Sequence, residues 1–266
     1  MQTTSDQSIA HLTTDVDFSA QRDFLGVSIS CLTLDQTMAA VDHAIKHRRM
    51  LRHVCLNVAK FVAMRSNQEL DRDVRSSNIV SVDGMGIVWA ARALGIDVPE
   101  RVAGVDIMSR VIELCAAKGY RVYFLGARPD VLERAMVNAK IRFPSLVFAG
   151  SRDGYFTAEE EPKIVTAIQS SRSDCLFIGM PTPQKERFLA RYGNSLGVPF
   201  VMGVGGSMDI LAGKTRRAPL LLQKVGLEWL FRTIQEPIRL GPRYLKTNVR
   251  FIAIFADALI SKRFSS

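Results

Sequence analysis

The sequence predicts an α/β fold in which a mainly parallel sheet carries helices on both faces. Short apolar runs alternate with amphipathic helical stretches along most of the chain. The junctions between them carry glycines and capping residues where helices stop and start. The chain has 266 residues and is 47% hydrophobic, enough for one large core without disulfide or metal staples.

Taken in order, the apolar runs place strands at 27–30, 53–56, 79–82, 122–125, 147–149, 175–178 and 200–204. Between them the 3.6-residue pattern places helices at 35–47, 59–65, 86–94, 105–117, 129–141, 158–170, 183–192 and 208–212. Gly95, Gly119 and Gly197 follow helices, and Asp35 and Thr157 read as N-caps. Strands that alternate with helices in this way form a Rossmann-like sheet. The domains read as a flexible polar arm (1–22), an α/β core (23–213) and a basic helical appendage (214–266). The arm has no apolar leader, and no run reaches the length of a membrane span, so a cytoplasmic location is expected. Four scattered cysteines fit free thiols in a reducing compartment.

Net charge is +9, and it is not evenly spread. Residues 214–266 hold eleven basic and three acidic side chains, whereas the rest of the chain is close to neutral. Such a tail suits an anionic partner: phosphate, nucleic acid or anionic lipid. Nucleic acid is disfavoured, because the basic segment lacks an aromatic platform or a recognised reading module. The last helix, 244–262, has Leu245, Val249, Ile252, Phe255 and Leu259 on one face and Lys246, Arg250 and Lys262 around it. It suits a helix lying on an anionic bilayer, or one docked on the domain or on a second subunit.

Ligands of such sheets sit beyond the carboxyl ends of the strands. The turns there are rich in glycine: Asp83-Gly84-Met85-Gly86, Gly126-Ala127-Arg128, Gly179-Met180 and Gly203-Val204-Gly205-Gly206. Each reads as a tight turn or as backbone that approaches an anion. Asp83 ends an apolar strand, where it is either a general base for a hydroxyl or a helix N-cap. Arg232, Arg239 and Arg243 read as a diphosphate clamp, the alternative being a surface patch or ion pairs with Glu228 and Glu236. Asp15-Val16-Asp17 and Asp71-Arg72-Asp73 match a DxD metal pattern, but one lies in the arm and the other in a solvated helix end. His43 and His47 share a helix face without a third ligand, so no metal is expected. The Gly203 turn lacks the G-x-G-x-x-G spacing, which argues against a nicotinamide-dependent oxidoreductase. A non-catalytic membrane-docking protein explains the tail but not the carboxylate at the mouth of a glycine-lined crevice.

Over residues 24–244 the chain resembles the WecG/TagA/CpsF family of bacterial glycosyltransferases. The landmarks run in family order: Leu56-Asn57, Asp83-Gly84-Met85-Gly86, Arg101-Val102-Ala103-Gly104-Val105-Asp106, Phe124-Leu125-Gly126, Asp153-Gly154-Tyr155-Phe156, Pro183 with Glu186, Gly203-Val204-Gly205-Gly206 with Asp209, Arg217-Ala218-Pro219, and Gly226-Leu227-Glu228-Trp229. The resemblance implies a metal-independent, inverting transfer from a UDP-sugar to a polyprenyl-diphosphate-linked saccharide at the cytoplasmic face of the inner membrane. It makes Asp83 the base and the basic appendage the part that closes the site and meets the membrane. Substrate contacts are then expected from Cys55, Asn57, Gly84, Arg101, Asp106, Gly126, Lys185, Glu186, Gly205 and Gly206, besides the three arginines. The chain has Cys55 where N-acetylmannosamine-using members have Thr, Pro183-Gln184-Lys185-Glu186 where they have Pro-Lys-Gln-Glu, and Pro242 where a basic residue is common. Since a thiol is a poorer hydrogen-bond partner than a hydroxyl, these departures favour a hexose such as glucose, in exopolysaccharide assembly. N-acetylmannosamine or its uronate is the alternative donor sugar.

Overall fold

A computed structural model describes residues 20–265, with the side chains of Arg239 and of 263–265 outside the description. It opens with a hairpin: β1 (Gln21–Phe24) runs antiparallel to β2 (Val27–Ser30). Leu25 and Gly26 both take positive φ in the two-residue turn, the conformation whose twist suits a hairpin. Sequence patterning missed β1 because only Phe24 of its four residues is buried. The remaining strands are β3 (Leu51–Leu56), β4 (Ile79–Val82), β5 (Arg121–Gly126), β6 (Val147–Arg152), β7 (Cys175–Gly179) and β8 (Phe200–Gly203). Their order is β1-β2-β4-β3-β8-β7-β5-β6, and every pairing after the hairpin is parallel. The carboxyl ends of β4, β3, β8, β7 and β5 therefore line up along one edge.

Alternation sends apolar side chains to both faces of this sheet. Leu51 and Cys55 of β3 join one cluster, while Val54 and Leu56 join another. The first face is covered by α1 (Leu34–Lys46), α5 (Gly104–Lys118), α6 (Pro129–Arg142) and α9 (Ser207–Leu211). The other is covered by α2 (Val58–Met64), α3 (Gln68–Arg75) and α4 (Met85–Ala93), and by α7 (Glu161–Ser171) and α8 (Gln184–Tyr192) over β5 and β7. The four cysteines are free.

Several local expectations change. The N-cap of α1 is Thr33, not Asp35: Thr33 and Gln36 exchange side-chain and backbone hydrogen bonds in a capping box, leaving Asp35 in the first turn. Thr157 does cap, although the turn after it, Ala158–Glu160, is a 3-10 helix that precedes α7. Asp71 and Asp73 lie within α3, with Asp71 paired to Arg75 at 2.6 Å. The arm as far as residue 19, including Asp15 and Asp17, lies outside the described residues, and β1 begins at Gln21, ahead of the boundary expected at 23.

The appendage contains α10 (Leu220–Lys224), α11 (Glu228–Gln235) and α12 (Pro237–Ser265). α12 starts well before Tyr244 and carries Pro242 inside it, which removes one backbone donor. Buried Phe251 meets Phe61 of α2 edge-on at 5.7 Å, and Phe255 stacks on Phe251 at 6.4 Å. So α12 docks on the domain, and Phe255 belongs to the docked face rather than the free one. Leu245, Val249, Ile252 and Leu259 of the apolar face are exposed, joined by Ile238 and Ile260. Among the described residues no helix is long and apolar enough to cross a membrane.

One buried polar group on β3 has a consequence for stability. His53 is fully buried, and neither ring nitrogen has a partner. Burial, reinforced by the charge of Lys60, lowers its pKa from 6.5 to about 3. Below pH 6.5 the unfolded chain takes up this proton and the folded chain does not, so stability falls as pH drops toward 3. His53→Leu is expected to narrow the difference between the urea midpoints at about pH 8 and about pH 5. An unchanged difference would place the acid sensitivity elsewhere.

Candidate active site

The site forms along the carboxyl edge of β4, β3 and β8. Asp83 follows the last residue of β4, and its N–H bonds Leu56 O at 2.9 Å, which extends the ladder by one residue. It is not a helix cap. The N-cap of α4 is Gly84, with no side-chain hydrogen bond. The Asp83 carboxylate lies instead against the backbone of Gly104 at the start of α5, which helps to hold its pKa down. A Cβ on Gly104 would come within 2.8 Å of Cys55 Sγ, so glycine is what lets α5 approach this closely. Burial pushes the Asp83 carboxyl above its usual range. Arg101 and Arg232 pull it back, and the nearby Glu228 carboxylate adds to the rise.

Three arginines reach this carboxylate's surroundings from different parts of the chain. Arg101 lies between α4 and α5, where the adjoining Val102 N–H bonds Val82 O at 3.0 Å. Arg101 Nη1 meets Glu228 Oε2 at 2.7 Å, and both side chains are largely buried. Arg232, one turn along α11, stands 3.6 Å from the other Glu228 oxygen. Arg217 grips Asp106 with two bonds, at 2.5 and 2.6 Å, and its charge is also felt by Glu228 and Asp83. The Nε–H donors of Arg217 and Arg232 are buried without an acceptor. Orphaned guanidinium donors beside a carboxylate suit an anionic ligand with several oxygens.

Under the crevice lies a second charged group. Lys60 Nζ and Lys185 Nζ both meet Glu186 Oε1, at 2.8 and 3.1 Å, and Lys185 also donates to Thr182 Oγ1 at 2.5 Å. Lys185 and Glu186 are only 6% and 3% exposed, so these expected substrate contacts are committed to each other. Burial, with Lys60 adding, lowers the Lys185 pKa to about 8. Cys55, another expected contact, is buried as well. The residue is 7% exposed, its thiol lies against Ser81 and Gly104, and burial together with Asp83 raises its pKa to about 12.

The other expected contacts divide. Asn57 Oδ1 accepts the Lys60 N–H at 2.9 Å as the N-cap of α2, which leaves only its amide donors for a ligand. Gly126 has φ +106°, and a Cβ there would lie 2.8 Å from the Gly179 carbonyl carbon, so packing demands this glycine and protein backbone fills the space. A Cβ on Gly205 would meet nothing within 4 Å, and on Gly206 only Asp209 Oδ2 at 3.9 Å, so this turn is open. Both oxygens of Asp106 accept from Arg217, which ties α5 to the segment that leads into the appendage. Of the expected clamp only Arg232 is placed at the site, and its pairing with Glu228 is the ion pair the sequence offered as the alternative. Arg243 is exposed on α12 and makes no ion pair among the described residues, while the Arg239 side chain lies outside them. Arg101 and Arg217 complete the group. His43 and His47 pack against each other with ring centroids 4.3 Å apart and planes tilted by 39°, and among the described residues no three His, Cys, Asp or Glu side chains gather as a metal site. Farther along the edge, exposed Tyr155 with Arg128, Pro129 and Asp130 borders a hollow of about 610 Å³.

Sequence reasoning passed over Lys60, Arg217 and Glu228 as site residues. Arg217 and Glu228 stand inside motifs already singled out, but their partners lie 111 and 127 residues away. Lys60 reads as one polar position in an otherwise apolar helix, and that was its only signal.

A doubly wound sheet with a carboxylate and unsatisfied guanidinium donors at its carboxyl edge suits group transfer involving an anionic ligand. The chain belongs to the glycosyl transferase WecG/TagA/CpsF family, whose model matches residues 22–265. It is similar to an N-acetylglucosaminyldiphosphoundecaprenol N-acetyl-beta-D-mannosaminyltransferase of Staphylococcus aureus (strain MW2), at 30% identity over 63% of this chain. The matched stretch spans 65% of that relative's length, just under two thirds. A protein of the same description from Bacillus spizizenii is 29% identical over 67% of this chain and 68% of its own.

Proposed function

We propose that this glycosyltransferase moves N-acetylmannosamine from a UDP donor to a polyprenyl-diphosphate-linked N-acetylglucosamine, inverting the anomeric centre without a metal. The observation that carries the reading is Asp83 at the sheet edge, within electrostatic reach of Arg101, Arg217 and Arg232, two of which hold buried Nε donors without an acceptor. Asp83 takes the proton of the acceptor hydroxyl as that oxygen forms its bond to the anomeric carbon. The bond from that carbon to the UDP oxygen breaks, and the electron pair leaves with the diphosphate. Arg217 and Arg232 then supply the positive charge that stabilises the departing group.

The donor sugar follows the relatives. The expectation of a plain hexose rested largely on Cys55, and a thiol buried beneath Gly104 does not read the sugar from the open crevice. The exposed apolar row of α12, flanked by Lys246 and Arg250, supports peripheral binding at the cytoplasmic face of an anionic membrane, where a lipid-linked acceptor resides.

A donor panel tests the reading. Purified protein is given a polyprenyl-diphosphate-linked N-acetylglucosamine and, separately, UDP-N-acetylmannosamine, its uronate and UDP-glucose, with product mass as the readout. Mass gain from UDP-N-acetylmannosamine, undiminished by excess EDTA, is the expected result. Gain from UDP-glucose alone returns the chain to the exopolysaccharide reading, and loss of turnover in EDTA rules out the metal-free mechanism.

A further inference from the structure

Resting on that reading, we infer that Glu228 is a positioning residue: its ion pair with Arg101 seats α11 on the core and thereby delivers Arg232 to the nucleotide diphosphate.

α11 is amphipathic, yet none of its eight residues is buried. Leu230 and Ile234 remain exposed, and Trp229 turns toward Tyr244 of α12 at 5.9 Å, not toward the sheet. Apolar packing therefore does little to fix this helix against the core. Just before it, Gly226 lies flat against Met85 and Trp89 of α4, where a Cβ would fall within 2.6 Å of the Trp89 ring. That contact brings the chain in close to the Asp83 turn. The next tie is Glu228 to Arg101 at 2.7 Å, a charge-assisted bond between two largely buried groups. Arg101 is itself fixed to the sheet by its neighbour Val102.

Glu228 and Arg232 are spaced i,i+4 and lie on one face of α11. Glu228 turned toward Arg101 thus carries Arg232 toward Asp83, while the looser 3.6 Å pairing leaves the Arg232 Nε donor without a partner for a phosphate oxygen to take once it is reached. Glu228 touches no reacting atom in this scheme and acts through Arg232.

UDP is the probe, and its dissociation constant is measured calorimetrically for wild type, Glu228→Gln, Arg232→Gln and the double variant. Each single variant is expected to weaken UDP about tenfold or more, and the double variant no further than either alone. Glu228→Asp should recover part of the loss. Hydrogen exchange of residues 228–235 without UDP should rise in Glu228→Gln, an effect that does not depend on nucleotide binding. Additive losses, unchanged affinity or unchanged exchange would overturn the inference. Tighter UDP binding in Glu228→Gln would also overturn it, by making Glu228 a stand-in that phosphate displaces. Failure of wild type to bind UDP would instead sink the function proposed above, leaving the exchange measurement to judge the anchor.

Discussion

Asp83→Asn is expected to lower turnover by about 10²–10⁴ while leaving UDP affinity intact or improved. The substitution keeps the side chain's shape and removes its capacity to accept a proton. It also removes a negative charge from the neighbourhood of Arg101, Arg217 and Arg232, so a phosphate should bind no worse. Loss of catalysis without loss of binding separates a base from a residue that merely shapes the crevice. The pH dependence follows from the same site. Burial holds the Asp83 carboxyl above its usual range, so turnover should decline in acid as that carboxyl takes up a proton, at a higher pH than an ordinary aspartate would give. Near-normal turnover in Asp83→Asn would move the base elsewhere.

The largest effect on stability is expected beneath the crevice. Glu186→Gln should cost about 3–5 kcal/mol, read from urea unfolding, because it leaves the charge of two buried lysines without its counterion. Lys60 and Lys185 share one oxygen of Glu186, and all three side chains are nearly inaccessible. Lys185 can shed part of the cost by losing its proton, since burial and Lys60 already bring its pKa to about 8. Lys60 would then be the charge left exposed to the low dielectric. A loss below about 1 kcal/mol, the range of surface pairs, would mean that water reaches this group.

The sheet was legible because its central strands are short, apolar on both faces and, β3 apart, end at or near glycine. β1 was not, since a polar edge strand looks like a tail until its hairpin partner is known. α3 was hidden for a related reason: it buries only Leu70 and Val74, so its periodicity is that of a charged loop. Asp83 was visible because strand ends are where such sheets work, whereas its choice between base and cap depended on which residue caps α4. The arginines show the limit more sharply. The sequence put Arg232, Arg239 and Arg243 together because they lie close along one basic segment. The fold joins Arg232 to Arg101 and Arg217, and no local spacing encodes pairings that cross more than a hundred residues. Cys55 and Lys185 were found by comparison with family motifs, which give position but not depth, and both proved to be buried.

The most direct measurement is a crystal structure of the protein with UDP bound. It should place β-phosphate oxygens within about 3.2 Å of the Nε atoms of Arg217 and Arg232, with the Asp83 carboxylate facing the space beyond the phosphate where the sugar carbon would sit. A diphosphate held elsewhere along the edge, with those two donors still unpartnered, would contradict the account.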